Sequence, residues 1–416
     1  MDKTDANTDI KKKYTIDKLL FNGTHKEIIS NLEREIDMIA NYCDKIIGEG
    51  YYGRVISSAY GPNFFINIDD QIARIDIVIK QAKIKSNISI DQMDNDLIIH
   101  CQDGIGCEAI ILYILSKSWY KEENLHMPLL VAMSKCDDDE ELGFGAIHNI
   151  VLEKCGLQHK IDMKKTNFFA NPSILISGDP PMRSYMANIG MLIDYITLNM
   201  KHNMKCVLPN EISVDVVELI DTICIFYLHT NHFVWSKYKL TLGDQSTNNV
   251  FIHWINYSSR CGKTKLDKLE NIYYDIGTQY IKTKSNGMIF KLGDVGISVM
   301  VPQPNVMVVG NAGDYGYLYP NVKKYKNKSY FFWDFIFDVI RFIPTKIMSL
   351  TVIYQIILKY DISEKYVPFV GIKEKYIKSM PSELEILNDP LYDKFKISKS
   401  DNDISNNPTT FINFLF

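Results

Sequence analysis

The sequence has no stretch that reads as a bilayer span. The longest charge-free apolar run near the C-terminus, Ile347 to Leu358, falls short of the roughly 20 residues a transmembrane helix needs. The first residues, Met1-Asp2-Lys3-Thr4-Asp5, are polar where a secretory signal carries an apolar core, so no leader is expected. The eight cysteines, from Cys43 to Cys261, show no paired spacing. They read as reduced thiols in a cytosol-like, cytoplasmic compartment. Charge of one sign is also missing: the net charge of -4 gives no reason to expect nucleic-acid binding. Alanine and arginine are scarce beside abundant Ile, Asn, Lys and Tyr, as an AT-rich genome produces. No internal repeat is visible, which sets aside solenoids and propellers.

What remains is ordinary globular material. The 416 residues, 46% apolar and 23% charged, suffice for two domains or a two-lobed enzyme with a sizeable core. Residues 1–22 are polar and expected to be loose, and 25–41 have the stripe of an amphipathic helix behind a Thr24/Glu27 capping pattern. Residues 1–41 thus form an N-terminal extension. A polar break at Gly178-Asp179-Pro180-Pro181 marks the expected boundary between a first lobe, 42–178, and a second, 179–416. Within the second, 213–230 is apolar on nearly every face, as in a helix buried at the centre of a lobe. Residues 253–287 read as a polar insert, and Ser329–Phe342 as an apolar helix carrying Asp334 and Asp338.

Four pieces in this chain carry candidate chemistry. The first is Gly48-x-Gly50-x-x-Gly53-x-Val55, followed by residues that look like strand. A dinucleotide-binding motif of this spacing must open a helix, so a hairpin is expected instead. Its glycine backbone could lie close over phosphates, and a tight hairpin without a ligand satisfies the same pattern. The second is Ile75 to Lys80, a strand expected to end in a lysine. The third is Glu108 within an amphipathic helix, 105–119, striped by Ile105, Ala109, Leu112, Leu115 and Trp119. A carboxylate in a buried stripe needs a partner, and Lys80 is the natural one, although first-turn dipole stabilisation would also favour a glutamate there. The fourth is the polar loop Gly243 to Asn249 with the later Asp294-Val295-Gly296. Asp244 and Asn249 lie five positions apart, the spacing of a loop in which a carboxylate accepts a proton from an attacking hydroxyl and an amide holds magnesium on phosphates. Asp294 supplies a second carboxylate for the metal.

Taken in order, these pieces resemble the protein-kinase family across about residues 44–342. The approach Lys291-Leu292-Gly293-Asp294 and the long insert before it look most like the virion serine/threonine kinases of poxviruses and related giant viruses. The resemblance implies an α+β, two-lobed protein-kinase-like fold, with a small β-rich N-lobe containing one key helix and a larger, mainly helical C-lobe. It implies ATP and Mg2+ as cofactors, with Gly48, Gly50, Gly53 and Val55 covering the nucleotide and Lys80 on its α/β-phosphates. Glu108 would orient Lys80, Asp244 would act as base, and Asn249 and Asp294 would hold the metal. Asp334 matches the acidic residue that props the catalytic loop. Protein substrates, and a virion or regulatory partner protein, are the implied partners, with the host cytoplasm and the virion as locations.

Three departures bear on the substrate. Ser246 stands two residues after Asp244, where serine/threonine kinases usually carry Lys; Leu242-Gly243 replaces His-Arg; and Val295 replaces the Phe of Asp-Phe-Gly. A Gly-Asp pair without that Lys is also similar to aminoglycoside and choline kinases. No Ala-Pro-Glu follows Gly296. Cys261-Gly262-Lys263-Thr264 imitates the end of a P-loop, but its first glycine position falls on Tyr257. His229 and His232 lack a third ligand at metal spacing.

Overall fold

The computed structural model describes residues 15–17, 45–50, 53–57, 64–68, 71–75, 77–83, 98–100, parts of 108–127, 130–136, 147–153, 188–243, 246–254, 270–295, 298–300, 307–309, 332–367 and 371–400. These form a mixture of helices and small, mostly antiparallel sheets. The chain divides into two units: Met1–Lys154 with Val295–Tyr315 and Thr410–Phe416, and Cys155–Asp294 with Gly316–Thr409. The boundary expected near Gly178 and the helix expected over 25–41 lie outside the described residues.

In the first unit, glycines bracket a two-residue connection between β1 (Lys45–Gly50) and β2 (Gly53–Ser57). Gly50 pairs with Gly53 and Gly48 with Val55, so the motif is an antiparallel hairpin with an irregularity between Ile46 and Gly48. Next come β3 (Ile77–Lys83), β4 (Leu130–Cys136) and β5 (Ile147–Glu153), giving a five-stranded antiparallel sheet of order β1-β2-β3-β5-β4. β3 runs three residues past the expected end, because Gln81 and Ala82 are paired on one side with Arg54 and Gly53, and 81–83 on the other with Asn149 to Ile147. β5 was not foreseen from the sequence. Its polar His148-Asn149 pair hides a strand that a neighbour on each side stabilises.

Residues 108, 111, 112, 115, 116 and 118 are helical, and Ile111, Leu112 and Leu115 are almost fully buried. That spacing places them along one side of a helix. Ser116 Oγ accepts a 2.8 Å bond from Leu130 N, tying this helix to the start of β4. Thr15–Asp17, in a segment expected to be loose, pairs in parallel with Phe64–Ile68, which continues into a hairpin with Gln71–Ile75.

The second unit is built around one long helix. α1 (Ile189–Asn199) starts at Asn188, whose side chain accepts from Met191 N. α2 (Val216–Tyr238) starts at Asp215, which accepts from Val217 and Glu218 N, and ends at Lys239 in the left-handed region. α2 begins three residues later than expected because Ser213–Asp215 pairs with Lys205–Val207. Ile220, Ile223, Ile225, Phe226, Tyr227 and Leu228 are all fully buried, so every face of its middle meets protein. α3 (Phe332–Arg341) packs on it, with the Phe335 ring stacked on Tyr227 at 3.8 Å between centroids.

β6 (Val250–Trp254) pairs antiparallel with β9 (Met288–Leu292). Between them, part of the supposed polar insert is ordered sheet. β7 (Asn271–Asp275) and β8 (Gln279–Lys284) form a hairpin, and β10 (Lys396–Ser398) adds a third strand. Buried Ile272, Tyr274, Ile281 and Thr283 alternate with polar neighbours, and the low apolar content of such a half-buried strand conceals it. α4 (Val352–Lys359) and α5 (Glu383–Asn388) complete the elements used below, α5 starting with a reciprocal Ser382/Glu385 capping box.

Candidate functional site

In the first unit, Lys80 sits in the interior of β3, with Val55 of the glycine hairpin opposite it on one side and Ile150 on the other. Its Nζ donates to Glu108 Oε2 at 2.6 Å. Glu108 is only 3% exposed and the lysine 24%. A carboxylate buried this deeply is costly without a cation, and Lys80 supplies one. The structure therefore brings Lys80, Glu108, Val55 and the three glycines into one stretch of sheet and helix.

The second unit holds the polar loop and the Asp294 segment. α2 leads through Leu240–Thr241 and buried Leu242 and Gly243 to the polar loop. Asp244 lies outside the described residues. Ser246 leads into a single 3-10 turn, Thr247–Asn249, closed by Asn249 N donating to Ser246 O at 3.0 Å. The chain then enters β6. Across the ladder Val250 pairs with Leu292, and Gly293 N donates to Asn249 O at 2.8 Å. Asn249 and the residue preceding Asp294 are thus bonded neighbours, so two candidate ligands leave adjacent backbone positions.

Gly293 is closely packed there. A Cβ on it would overlap Cε2 of Phe251, lie 2.7 Å from Cδ2 and sit 3.1 Å from Asn249 O. Asp294 follows in the left-handed region at φ 47 and is exposed. That conformation is uncommon for a non-glycine residue, though Asp tolerates it better than most. Such strain is characteristic of functional sites.

The donor set suits magnesium. Asn249 offers an amide oxygen and Asp294 a carboxylate, both hard oxygen donors, and the exposure of Asp294 leaves room for the waters that Mg2+ retains.

Two residues matter here that sequence reasoning missed. Thr247 N and Oγ1 both donate to Asp338 Oδ2, at 2.8 and 2.6 Å. Asp338 Oδ1 pairs with Arg341 at 2.8 Å. These bonds to the loop come from Asp338, one turn after Asp334, the residue to which the resemblance assigns the propping role. Both aspartates were visible in the apolar helix, and only the fold distinguishes them.

The remaining candidates fall into structural roles. His229 Nε2 meets Asp275 O at 3.1 Å, and its other ring nitrogen is shut off from solvent although the residue is half-buried overall. Burial is the main cause that pushes its pKa down to about 4. Among the described residues, no three His, Cys, Asp or Glu side chains gather at metal distance. Cys206 and Cys224 are buried free thiols, and burial raises Cys206 to about 11, far from a reactive thiolate. No helix among the described residues is long and apolar enough to cross a membrane.

No family model matches this sequence, and no curated protein matches it.

Proposed function

We propose that this chain is an ATP- and Mg2+-dependent protein kinase with the two-lobed kinase fold, acting on serine and threonine hydroxyls. The observation that carries the reading is the buried Lys80–Glu108 pair at 2.6 Å, set directly opposite Val55 of a glycine hairpin. A Lys–Glu pair of this kind is a required part of kinase-type phosphoryl transfer. Support also comes from the bond between Asn249 and Gly293, which puts an amide and a carboxylate on neighbouring backbone.

In this reading the hairpin backbone covers the phosphates and Lys80, held straight by Glu108, neutralises them. Asn249 and Asp294 would hold the magnesium, which would supply positive charge against the phosphates. The substrate hydroxyl oxygen attacks the γ-phosphorus, the bond from that phosphorus to the β,γ-bridging oxygen breaks, and ADP leaves. Asp244 takes the hydroxyl proton. Most of the rate then comes from positioning and charge stabilisation.

Gly243 and Ser246 favour a second reading, a phosphotransferase for a small hydroxylated molecule, because the lysine that protein kinases place near Ser246 is missing. Labelled ATP offered with a mixed protein substrate and with an aminoglycoside and choline panel separates the two. Transfer to protein that vanishes in Asp294→Asn, with the melting temperature kept, supports the first. Transfer to neither class by the wild type makes the chain a binding module or pseudokinase scaffold.

A further inference from the structure

A single 3-10 turn cannot hold its own shape. It makes few internal bonds, and its first N–H groups have no partner within it. The residue at the start of Thr247–Asn249 is Ser246, which makes no side-chain cap bond. Asp338, 91 positions along the chain, supplies that cap instead by accepting both the N–H and the hydroxyl of Thr247. Bonds to an ionised acceptor are roughly twice as strong as neutral ones.

The other faces of the turn are also fixed. Asn249 O is held by Gly293 N. On the α1 side, a Cβ on Gly190 would come within 2.6 Å of Asn248 Oδ1 and 3.2 Å of Thr247 Oγ1, so the first turn of α1 lies hard against the loop. Thr247 is 2% exposed, whereas the Arg341 that neutralises the outer oxygen of Asp338 is 64% exposed. The carboxylate therefore divides its work: one oxygen faces inward to the loop and the other outward to a solvent-accessible arginine.

Resting on the kinase reading above, we propose that Asp338 and Thr247 are positioning residues that set metal affinity by fixing the turn that presents Asn249. Mg2+ demands near-ideal octahedral geometry at about 2.0–2.1 Å, so a small rotation of the turn weakens the site before it unfolds anything. Neither residue touches substrate in this role.

The test is Mn2+ binding to the full chain with ATP present, read from the enhanced water-proton relaxation of the protein-bound complex against a protein-free Mn2+–ATP control, beside a thermal melt. Thr247→Val removes only the hydroxyl bond and should raise the half-saturating Mn2+ concentration about tenfold, the usual scale for residues that orient a metal ligand. Asp338→Ala should raise it further, and Asp338→Asn, whose amide oxygen still accepts, should recover part of the loss. Catalytic turnover at saturating metal should change much less than the metal requirement. If Asp338→Ala does not fold, Thr247→Val carries the test. Unchanged Mn2+ affinity in a folded variant overturns this proposal alone. A wild-type protein that binds no Mn2+ with ATP overturns it together with the kinase reading.

Discussion

Gly293→Ala isolates the closest packing contact of the candidate site. The new methyl would overlap the Phe251 ring, whose Cδ2 is 2.7 Å away, and would press on Asn249 O at 3.1 Å. Two responses are open. The ring can swing aside, at the overpacking cost of about 1–3 kcal/mol, nearer the lower figure because Phe251 is half-buried and has room to move. Alternatively β6 and β9 separate and lose the Gly293–Asn249 bond, which adds about 1 kcal/mol. Both responses are relieved by removing the ring. A cycle of Gly293→Ala, Phe251→Ala and the double variant, followed by urea unfolding, should therefore show the double variant more stable than the sum of the single losses predicts, by about 1–2 kcal/mol. Nucleotide binding in the presence of Mg2+ should weaken in Gly293→Ala and partly return in the double variant. The reasoning fails if Gly293→Ala unfolds at the wild-type urea concentration, or if the two losses simply add.

Two further outcomes are expected. Lys80→Ala and Glu108→Ala should be strongly non-additive in turnover, the double variant being no slower than the worse single one, since the pair acts as a unit; additive losses would show that they act separately. The second outcome concerns pH. Asp221, fully buried on α2, accepts from Val352 N at 2.8 Å and meets Lys394 at 3.2 Å, yet burial outweighs both and raises it from 3.8 to about 6. Its folded value lies above its unfolded one, so its contribution is fully present below about pH 4 and is lost as pH rises through 6. That loss is on the order of 3 kcal/mol. Asp221→Asn should therefore gain stability relative to wild type by roughly that amount between pH 4 and 7, and parallel curves would refute the assignment. His229 runs the other way: its value falls from 6.5 to about 4, so its contribution is present above 6.5 and is lost as pH falls through 4.

How far the fold could be read from the residues depended on how local its causes are. The glycine hairpin, α2 and β9 follow from turn glycines and apolar runs, and the structure has each of them, although α2 runs on to Tyr238, eight residues past its expected end. The failures share a cause. β5, β7 and β8 carry polar residues at alternate positions, and β5 and β8 each lean on a strand far along the chain, β3 against β5 and β10 against β8. A window of the sequence contains no trace of that neighbour. Lys80 looked like a strand end for the same reason: the pairing that carries β3 on to Lys83 belongs to β2 and β5.

The candidate site divides along the same line. Residues that face a small ligand come as motifs, because a phosphate or a metal constrains residue type and spacing within a few positions; Gly48-x-Gly50-x-x-Gly53 and Asp294-x-Gly296 would be such cases under the proposed kinase reading. Residues that hold those motifs in place are chosen by packing and carry no such spacing. Thr247 is bonded to Asp338 across 91 positions, and a Cβ at 293 would meet the Phe251 ring and Asn249 O. Asp334 and Asp338 lie on one helix, four positions apart and both half-buried, so composition and periodicity treat them alike. The two bonds to Thr247 come from Asp338, and the fold is what brings it there. That is a property of the second unit as a whole: buried α2 fixes α3 through Tyr227 and Phe335, and α3 in turn brings Asp338 to the turn that carries Asn249. The precision of the candidate metal site is therefore set by the aromatic core between two helices, neither of which contributes a ligand.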